Sequence, residues 1–113
     1  MAVNMQVNLG GLVMANPVTD ASGTFAAGRE YSDFVNVAGM GAVTTKGVSL
    51  NGWEGNESPR IAETPSGMLN SIGLQNPGVK HLCQVDLPWL KSQGVPTIVN
   101  VSGHSLEEYV SVV

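Results

Sequence analysis

One order of elements recurs three times along this chain: a short apolar strand, a polar residue beside a glycine, and then a helix. The predicted strands lie at residues 18–21, 42–45 and 97–101. Strands that alternate with helices predict a parallel sheet with helical crossovers. A closed (β/α)8 barrel takes about 250 residues, whereas this chain has 113. We therefore predict an α/β fold. If it derives from such a barrel, the chain supplies the first three βα units of a TIM barrel, an incomplete barrel within one domain over residues 1–113.

An N-terminal β-hairpin is predicted ahead of these units, over residues 1–16. Apolar and polar residues alternate from Val3 to Leu9, and Leu12-Val13-Met14 form the returning strand. The Gly10-Gly11 pair between them fits a two-residue turn with positive φ angles. The three βα units then occupy residues 17–113.

The helix after the first strand is predicted over residues 29–37. Gly39 and Gly41 would end it, because glycine is frequent just past a helix C-terminus. Residues at i, i+3, i+4 and i+7 share one face of a helix. The apolar residues with that spacing are Tyr31, Phe34, Val35 and Ala38. We expect this face to pack on the sheet.

Two further helical stretches are signalled by their first residues. One opens at Pro77-Gly78, and we expect Cys83 on its buried apolar face and Asp86 as the N-cap of a second part. The other begins at Ser105, which has the capping-box spacing to Glu108.

A long connection over about residues 48–76 lacks clear helical or strand periodicity. Loops beyond about 12–15 residues are usually functional or disordered. Ile61, Met68 and Leu74 give the segment apolar anchors, which fits disorder poorly. We predict an ordered, functional insertion.

Charge and composition argue against several classes of function. Five Lys and Arg residues against nine Asp and Glu give a net charge of −4, whereas a general nucleic-acid binder needs a basic surface. No apolar run approaches the roughly 18–20 residues of a membrane span, and residues 1–6 lack the features of a secretory signal. The one cysteine cannot form an internal disulfide, which fits the cytoplasm.

Polar side chains stand at the end of each predicted strand, where TIM barrels carry their active residues. They are found at Ser22-Gly23, Lys46-Gly47 and Asn100. The neighbouring glycines would let a flat ligand approach the backbone. An ammonium with hydrogen-bonding groups, but no paired carboxylates, suits an anionic or carbonyl-rich organic ligand more than a metal. On position alone, Lys46 fits a ligand-binding cation and a surface lysine about equally well.

The stretch from Gly67 to Gly78 is rich in polar amides. Asn70, Gln75 and Asn76 each offer a donor and an acceptor, which matches the alternating N–H and C=O edge of a uracil-like ring. A loop held by side-chain-to-backbone turns would use the same residues. The residues alone leave both explanations open.

An ordered series of motifs resembles those of the dihydroorotate dehydrogenases. The motifs are Asn16-Pro17-Val18, Ala21–Phe25, Gly28–Tyr31, Lys46-Gly47, Asn56–Thr64, Asn70–Gly78, Leu87–Leu90 and Asn100–Gly103. The resemblance covers the chain from about Val7 onward, and Leu74-Gln75-Asn76 is similar to the variant of class 1B.

The resemblance implies oxidation of dihydroorotate to orotate in de novo pyrimidine biosynthesis, with hydride transfer to FMN. Carried over position by position, the expected FMN contacts are Ser22, Lys46, Gly47 and Asn100. The expected substrate contacts are Lys46, Asn70, Ser71, Ile72, Gly73 and Leu74.

The family's catalytic base is a cysteine on a loop beyond the fourth strand, so the resemblance places it past Val113 and places no catalytic residue in this chain. Cys83, in a helix, cannot replace it. We accordingly expect the 113-residue piece alone to be inactive. The resemblance also implies an NAD-linked electron-transfer subunit that carries FAD and an iron–sulfur cluster, and a homo-oligomer.

Two alternatives stay open at this point. A related flavin-dependent dihydropyrimidine dehydrogenase would differ in substrate preference, and the Gln75-Asn76 pair favours dihydroorotate. A non-catalytic truncated fragment would associate through its open strand edges, and its solution mass and cofactor content would distinguish it.

Overall fold

The N-terminal hairpin has the predicted position and turn. The computed structural model describes residues 3–113, so residues 1 and 2 of the predicted hairpin lie outside the described part. Strand β1 (Val7–Leu9) pairs antiparallel with β2 (Leu12–Met14). Gly10 and Gly11 have φ angles of 58° and 101°, a region that glycine enters without a Cβ clash. The hairpin is confirmed, with a shorter first strand than predicted.

Extended segments from the three predicted units lie side by side in a parallel arrangement. Thr19 forms a parallel bridge with Ala42. Strand β3 (Val43–Thr44) pairs in parallel with β6 (Thr97–Ile98). The parallel direction that the alternation of strands and helices predicts is therefore confirmed for these segments. Within residues 3–113 the sheets are small and two-stranded, and they do not close into a barrel.

The hydrophobic core lies on one face of this parallel pair. Val43 in β3 and Leu90 in helix α2 (Leu87–Gln93) are each 0% exposed. The buried cluster consists of Phe25, Ala27, Val37, Val43, Leu90 and Val95, with Met40 and Trp89 at its margin. Because the loop after the first segment and helix α2 both pack on β3, the carboxyl end of β3 is held firmly in place.

The predicted first helix is wrong. The chain forms two single 3-10 turns there, Arg29–Tyr31 and Val37–Gly39. Phe34, which the helical spacing placed on the buried face, is 85% exposed. Asn36 adopts a non-helical ψ of 88° between the turns, and Ser32 Oγ donates to Arg29 O. Short polar side chains of this kind compete with a regular helix by bonding locally to the backbone.

The second helical stretch is continuous, with a change of pitch in its middle. Helix α1 (Val79–His81) leads into a π-helical turn (Leu82–Asp86) and then into α2. The π turn holds an additional residue, which rotates the side chains around the axis. Cys83 is exposed, so its predicted burial is wrong, and Asp86 lies inside the helix without capping it. No helix in the described part of the chain is long and apolar enough to cross a membrane.

The third helix, α3 (Leu106–Val112), begins at its predicted cap. Ser105 Oγ accepts from Glu108 N at 3.3 Å, and the Glu108 carboxylate accepts from His104 N at 2.6 Å. In a capping box the carboxylate accepts from the N-cap residue itself, so the reciprocal bond here falls one residue earlier. The predicted start of the helix is confirmed.

The long connection is ordered, as predicted, but it contains a second hairpin that the sequence analysis missed. Strand β4 (Ile61–Thr64) pairs antiparallel with β5 (Gly67–Asn70). Every residue of both strands is exposed. Since neither face is buried, the apolar–polar alternation that reveals a half-buried strand is absent.

Candidate functional site

Three polar residues from three neighbouring segments are joined at the carboxyl end of the parallel sheet. Ser22 Oγ donates to Thr45 O at 2.9 Å and accepts from Asn100 Nδ2 at 2.7 Å. The Thr45 side chain, 1% exposed, accepts from Asn100 N at 3.3 Å. This chain of hydrogen bonds fixes the predicted site residues Ser22 and Asn100 relative to β3.

The Lys46 ammonium lies directly beside Gly23. A Cβ built on Gly23 would stand 3.2 Å from Lys46 Nζ. Lys46 is half-buried, and the salt bridge found among residues 3–113 joins His81 and Asp86 instead. Lys46 thus has no carboxylate partner within the described residues. An ammonium without such a partner favours an anionic or carbonyl ligand, because the ligand would supply a charge-assisted hydrogen bond.

Gly47 is a point of close approach between three segments. A Cβ there would be 2.8 Å from Ser102 Oγ, 3.2 Å from Leu74 Cδ1 and 3.8 Å from Asn100 Nδ2. Leu74 has a φ of 56°, a left-handed conformation that costs a non-glycine residue on the order of 1–3 kcal/mol. Strain of this kind persists where surrounding contacts enforce it, as at binding sites.

A cavity of about 470 Å³ opens beside Lys46 and Gly47. Its other walls come from the loop that begins at Gly23, from residues 75–77 and from the helix that contributes Leu82 and Val85. The lining of this cavity does not include Ser22, Asn100 or residues 70–74. The cavity therefore adjoins the Lys46 end of the predicted site and not the whole of it.

Residues 70–74 are held in a compact turn by Asn56. Asn56 Nδ2 donates to Ser71 O at 3.0 Å and to Ser71 Oγ at 2.9 Å, and Asn56 N donates to Ile72 O at 3.0 Å. A Cβ on Gly73 would be 2.6 Å from Asn56 N. Of this set, Leu74 lies next to Gly47, whereas Asn70 lies at the end of β5, exposed and opposite Ile61.

Two of the amides considered for ring recognition are used inside the loop. Asn76, 6% exposed, accepts through Oδ1 from Ser49 N (3.1 Å), Ser49 Oγ (3.0 Å) and Gly78 N (3.0 Å). Gln75 Oε1 accepts from Arg60 Nη1 at 3.2 Å. For Gln75 and Asn76 the structure therefore supports the loop-internal explanation, whereas the exposed Asn70 side chain takes part in none of these bonds.

Sequence reasoning missed two of the residues that fix this loop, namely Asn56 and Ser49. Ser49 is 0% exposed and bonds to a residue 27 positions away. A polar residue in a segment without periodicity carries no sign of such a distant partner. A clustering of amide and hydroxyl residues at both ends of the long connection is the signal that could have suggested it.

Asp86 and His81 form an ionisable pair on the helical wall of the cavity. His81 Nε2 lies 3.7 Å from Asp86 Oδ1. Burial raises the pKa of the Asp86 carboxyl above its usual value, and the positive charges of His81 and Arg29 oppose that rise. Burial therefore disfavours the charged form of the Asp86 carboxyl, and the two neighbouring cationic groups offset part of that effect.

Parallel segments whose polar residues converge at their carboxyl ends are the arrangement in which α/β barrels place their ligand sites. The sequence profile described as "Dihydroorotate dehydrogenase" matches residues 4–113. The chain belongs to the dihydroorotate dehydrogenase family, whose fold is a TIM barrel.

Individual relatives carry the name "Dihydroorotate dehydrogenase B (NAD(+)), catalytic subunit". The protein of that name from Alkaliphilus metalliredigens (strain QYMF) is 52% identical over 111 residues, which is 98% of this chain and 37% of the relative. The one from Lachnoclostridium phytofermentans is 56% identical over 111 residues, again 98% of this chain and 37% of the relative. The one from Thermoanaerobacter pseudethanolicus is 49% identical over 107 residues, 95% of this chain and 35% of the relative. The chain thus spans little more than a third of the length of these relatives.

Proposed function

We propose that the protein containing this chain oxidises dihydroorotate to orotate in pyrimidine biosynthesis, as the FMN-dependent catalytic subunit of an NAD-linked enzyme. The observation that carries the proposal is Lys46: a half-buried lysine whose ammonium has no carboxylate partner in the described residues, at a strand end beside two glycines. Family membership and the names of the relatives support the same chemistry. In this proposal, residues 1–16 are a hairpin, residues 17–113 are the first three βα units of a single barrel domain, and residues 48–76 carry the substrate loop.

The strand ends fit a flat, carbonyl-rich cofactor such as FMN. A Cβ at Gly47 would stand 2.8 Å from Ser102 Oγ, so only glycine leaves this backbone open to close approach. Ser22, Asn100 and Lys46 offer a hydroxyl, an amide and an ammonium, which suit the polar edge of a flavin. Ser22, Lys46, Gly47 and Asn100 would hold the FMN, which when bound supplies the acceptor for the hydride of dihydroorotate.

Lys46 and residues 70–74 would hold the substrate. The ammonium pairs with the negative charge and carbonyl oxygens of dihydroorotate, and such charge-assisted bonds are short and strong. The Asn70 amide binds the carboxylate or the ring edge. Leu74, constrained in its left-handed conformation, covers the site and excludes water. Ser71, Ile72 and Gly73 supply the backbone that Asn56 fixes.

The remaining parts of the reaction lie outside these residues. A cysteine that follows the fourth barrel strand would accept the proton from the ring carbon, so the 113 residues alone would not turn over. The relatives are named as catalytic subunits, which implies a second subunit. We propose that it carries FAD and an iron–sulfur cluster and passes electrons to NAD, and that the catalytic subunit forms a cytoplasmic homo-oligomer.

Substitution of Lys46 tests the proposal in the full-length protein. Lys46→Met should reduce kcat/KM for dihydroorotate at least about 100-fold, which corresponds to roughly 2.7 kcal/mol of transition-state stabilisation. Lys80→Met, which removes an exposed helical lysine, is the matched control and should leave kcat/KM within about twofold. Dihydrouracil, which lacks the carboxylate, should be a poor substrate for the wild-type protein. A Lys46→Met protein with near wild-type activity, or a preference for dihydrouracil, would contradict the proposal.

A further inference from the structure

We propose that Asp20 is a positioning residue, which determines where the first strand leaves the sheet and thereby holds Ser22 in the site. Thr44 N donates to Asp20 Oδ1 at 2.7 Å. The residues that depend on this contact are Ser22 and, through it, Asn100. The consequence for ligand binding rests on the FMN-dependent function proposed above, whereas the consequence for the loop does not.

Strand β3 offers N–H donors to neighbours on both sides. Val43 N and Thr45 N donate to Pro96 O and Ile98 O, each at 2.9 Å, on the side of β6. Successive N–H groups of a strand point to opposite neighbours. Thr44 N therefore points toward the first strand, and so does Lys46 N.

The first strand does not supply backbone acceptors for these two donors. It forms a parallel bridge to Ala42 through Thr19 and then leaves the sheet. Thr44 N bonds to the Asp20 carboxylate, and Lys46 N bonds at 3.2 Å to the carbonyl of Ala26, after the loop has returned. A side-chain oxygen thus takes the place of the next strand carbonyl.

Because the Asp20 carboxylate takes the place of a strand carbonyl, the backbone after Asp20 is free to leave the sheet, and Ser22 comes to lie beside the end of β3. Ser22 Oγ donates to Thr45 O between the two flanking bonds. Residues 20–26 are consequently attached to residues 44–46 at three successive points, of which the Asp20 contact is the first. Loss of that first attachment would let the strand either continue in the sheet or detach, and both outcomes move Ser22.

The second oxygen of the Asp20 carboxylate makes the Asp20→Asn substitution an informative test. Among the described residues, Asp20 Oδ2 is buried without a hydrogen-bond partner. Asparagine keeps the Oδ1 acceptor for Thr44 N at the same position and changes only this second atom. Alanine removes the acceptor, and glutamate keeps the charge but moves it by one methylene.

Binding of FMN by the full-length protein, followed by quenching of flavin fluorescence, is the first measurement. Asp20→Ala and Asp20→Glu should each raise the Kd for FMN at least tenfold, and Asp20→Asn should leave it within about threefold. The double variant Asp20→Ala/Ser22→Ala should be less impaired than the product of the two single effects, because Asp20 acts through Ser22. Equal Kd values for Asp20→Asn and Asp20→Glu would overturn the inference. So would a double variant whose Kd equals the product of the two single effects on Kd. The comparison of Asp20→Asn with Asp20→Glu remains valid even if Asp20→Ala fails to fold.

A matched control and a ligand-free readout separate positioning from stability. Val95→Ala removes methyl groups from a buried core position, and it should lower Tm without changing the Kd for FMN. Hydrogen exchange in the ligand-free protein should show Thr44 N–H exchanging at least tenfold faster in Asp20→Glu than in Asp20→Asn. If wild-type protein fails to bind FMN, the proposed function is wrong. If the Thr44 exchange rates of the two variants are equal, the positioning role of Asp20 is wrong.

Discussion

The Gly47→Ala substitution should separate ligand binding from folding. Gly47 is buried, and its new Cβ would lie 2.8 Å from Ser102 Oγ and 3.2 Å from Leu74 Cδ1. Both of these atoms are the ends of side chains, so a rotation of the Ser102 hydroxyl and a small shift of Leu74 can relieve the contact. The substitution should therefore be tolerated by the fold and should act mainly on the space available to a ligand.

The expected magnitudes follow from these distances. Overpacking of a well-packed position costs typically 1–3 kcal/mol, and we expect the lower end, about 1 kcal/mol of unfolding free energy, because no backbone atom is struck. The methyl group also occupies the approach to the β3 backbone and displaces Leu74. We expect the Kd for FMN to rise about 10–100-fold, equivalent to about 1.4–2.8 kcal/mol.

Gly94→Ala is the matched control, because it makes the same glycine-to-alanine substitution at another position. Gly94 has a φ of 70° and a Cβ there would meet nothing within 4 Å, so alanine costs about 1 kcal/mol through backbone strain alone. Urea unfolding and FMN titration of both full-length variants should show similar losses of stability, but weaker binding in Gly47→Ala only. If Gly47→Ala binds FMN within threefold of wild type, Gly47 does not border the cofactor.

Three further predictions concern stability. Leu90→Ala, at a position with 0% exposure, should lower the free energy of unfolding by roughly 2–5 kcal/mol, and a loss below 1 kcal/mol in urea would be inconsistent with the core described. Burial raises the pKa of the Asp86 carboxyl above 3.8. The carboxyl therefore makes its full contribution to folding stability below pH 3.8, and that contribution is lost as the pH rises through the pKa of the folded state. Asp86→Asn should accordingly raise Tm at pH 7 and lose that advantage below pH 4, whereas a lower Tm at pH 7 would show that the His81 pair dominates. Ser105→Ala should reduce stability by about 1 kcal/mol through loss of the helix cap, with faster hydrogen exchange at Glu108 N, and an unchanged rate would refute the cap.

The predictions that held depend on short-range signals. The Gly10-Gly11 turn requires only two positive φ angles, and the Ser105–Glu108 cap requires only a spacing of three residues. The parallel pairing of β3 with β6 follows from the alternation of strands and helices. Such features are encoded within a few residues or in the order of elements, and so the sequence predicts them well.

The predictions that failed depend on partners far along the chain. The apolar spacing of Tyr31, Phe34 and Val35 suggested a buried helical face, yet Phe34 is 85% exposed, because two short turns replaced the helix. The π turn before α2 exposes Cys83 without any mark in the residue pattern.

The candidate site shows the same limit. Ser22, Lys46, Gly47 and Asn100 could be proposed from their positions at strand ends and from the family resemblance. Their hydrogen bonds could not, since Ser22 and Asn100 are 78 positions apart. The contact of Asp20 with Thr44 spans 24 positions and has no local sequence signature.

The most direct test of the proposed flavoenzyme is the visible absorption spectrum of the full-length protein, purified without added cofactor and then mixed with dihydroorotate under anaerobic conditions. A flavin band that bleaches on addition of dihydroorotate is the expected result. A full-length protein that shows no flavin band and binds no added FMN, or one whose flavin band dihydroorotate leaves unchanged, would contradict the proposed function.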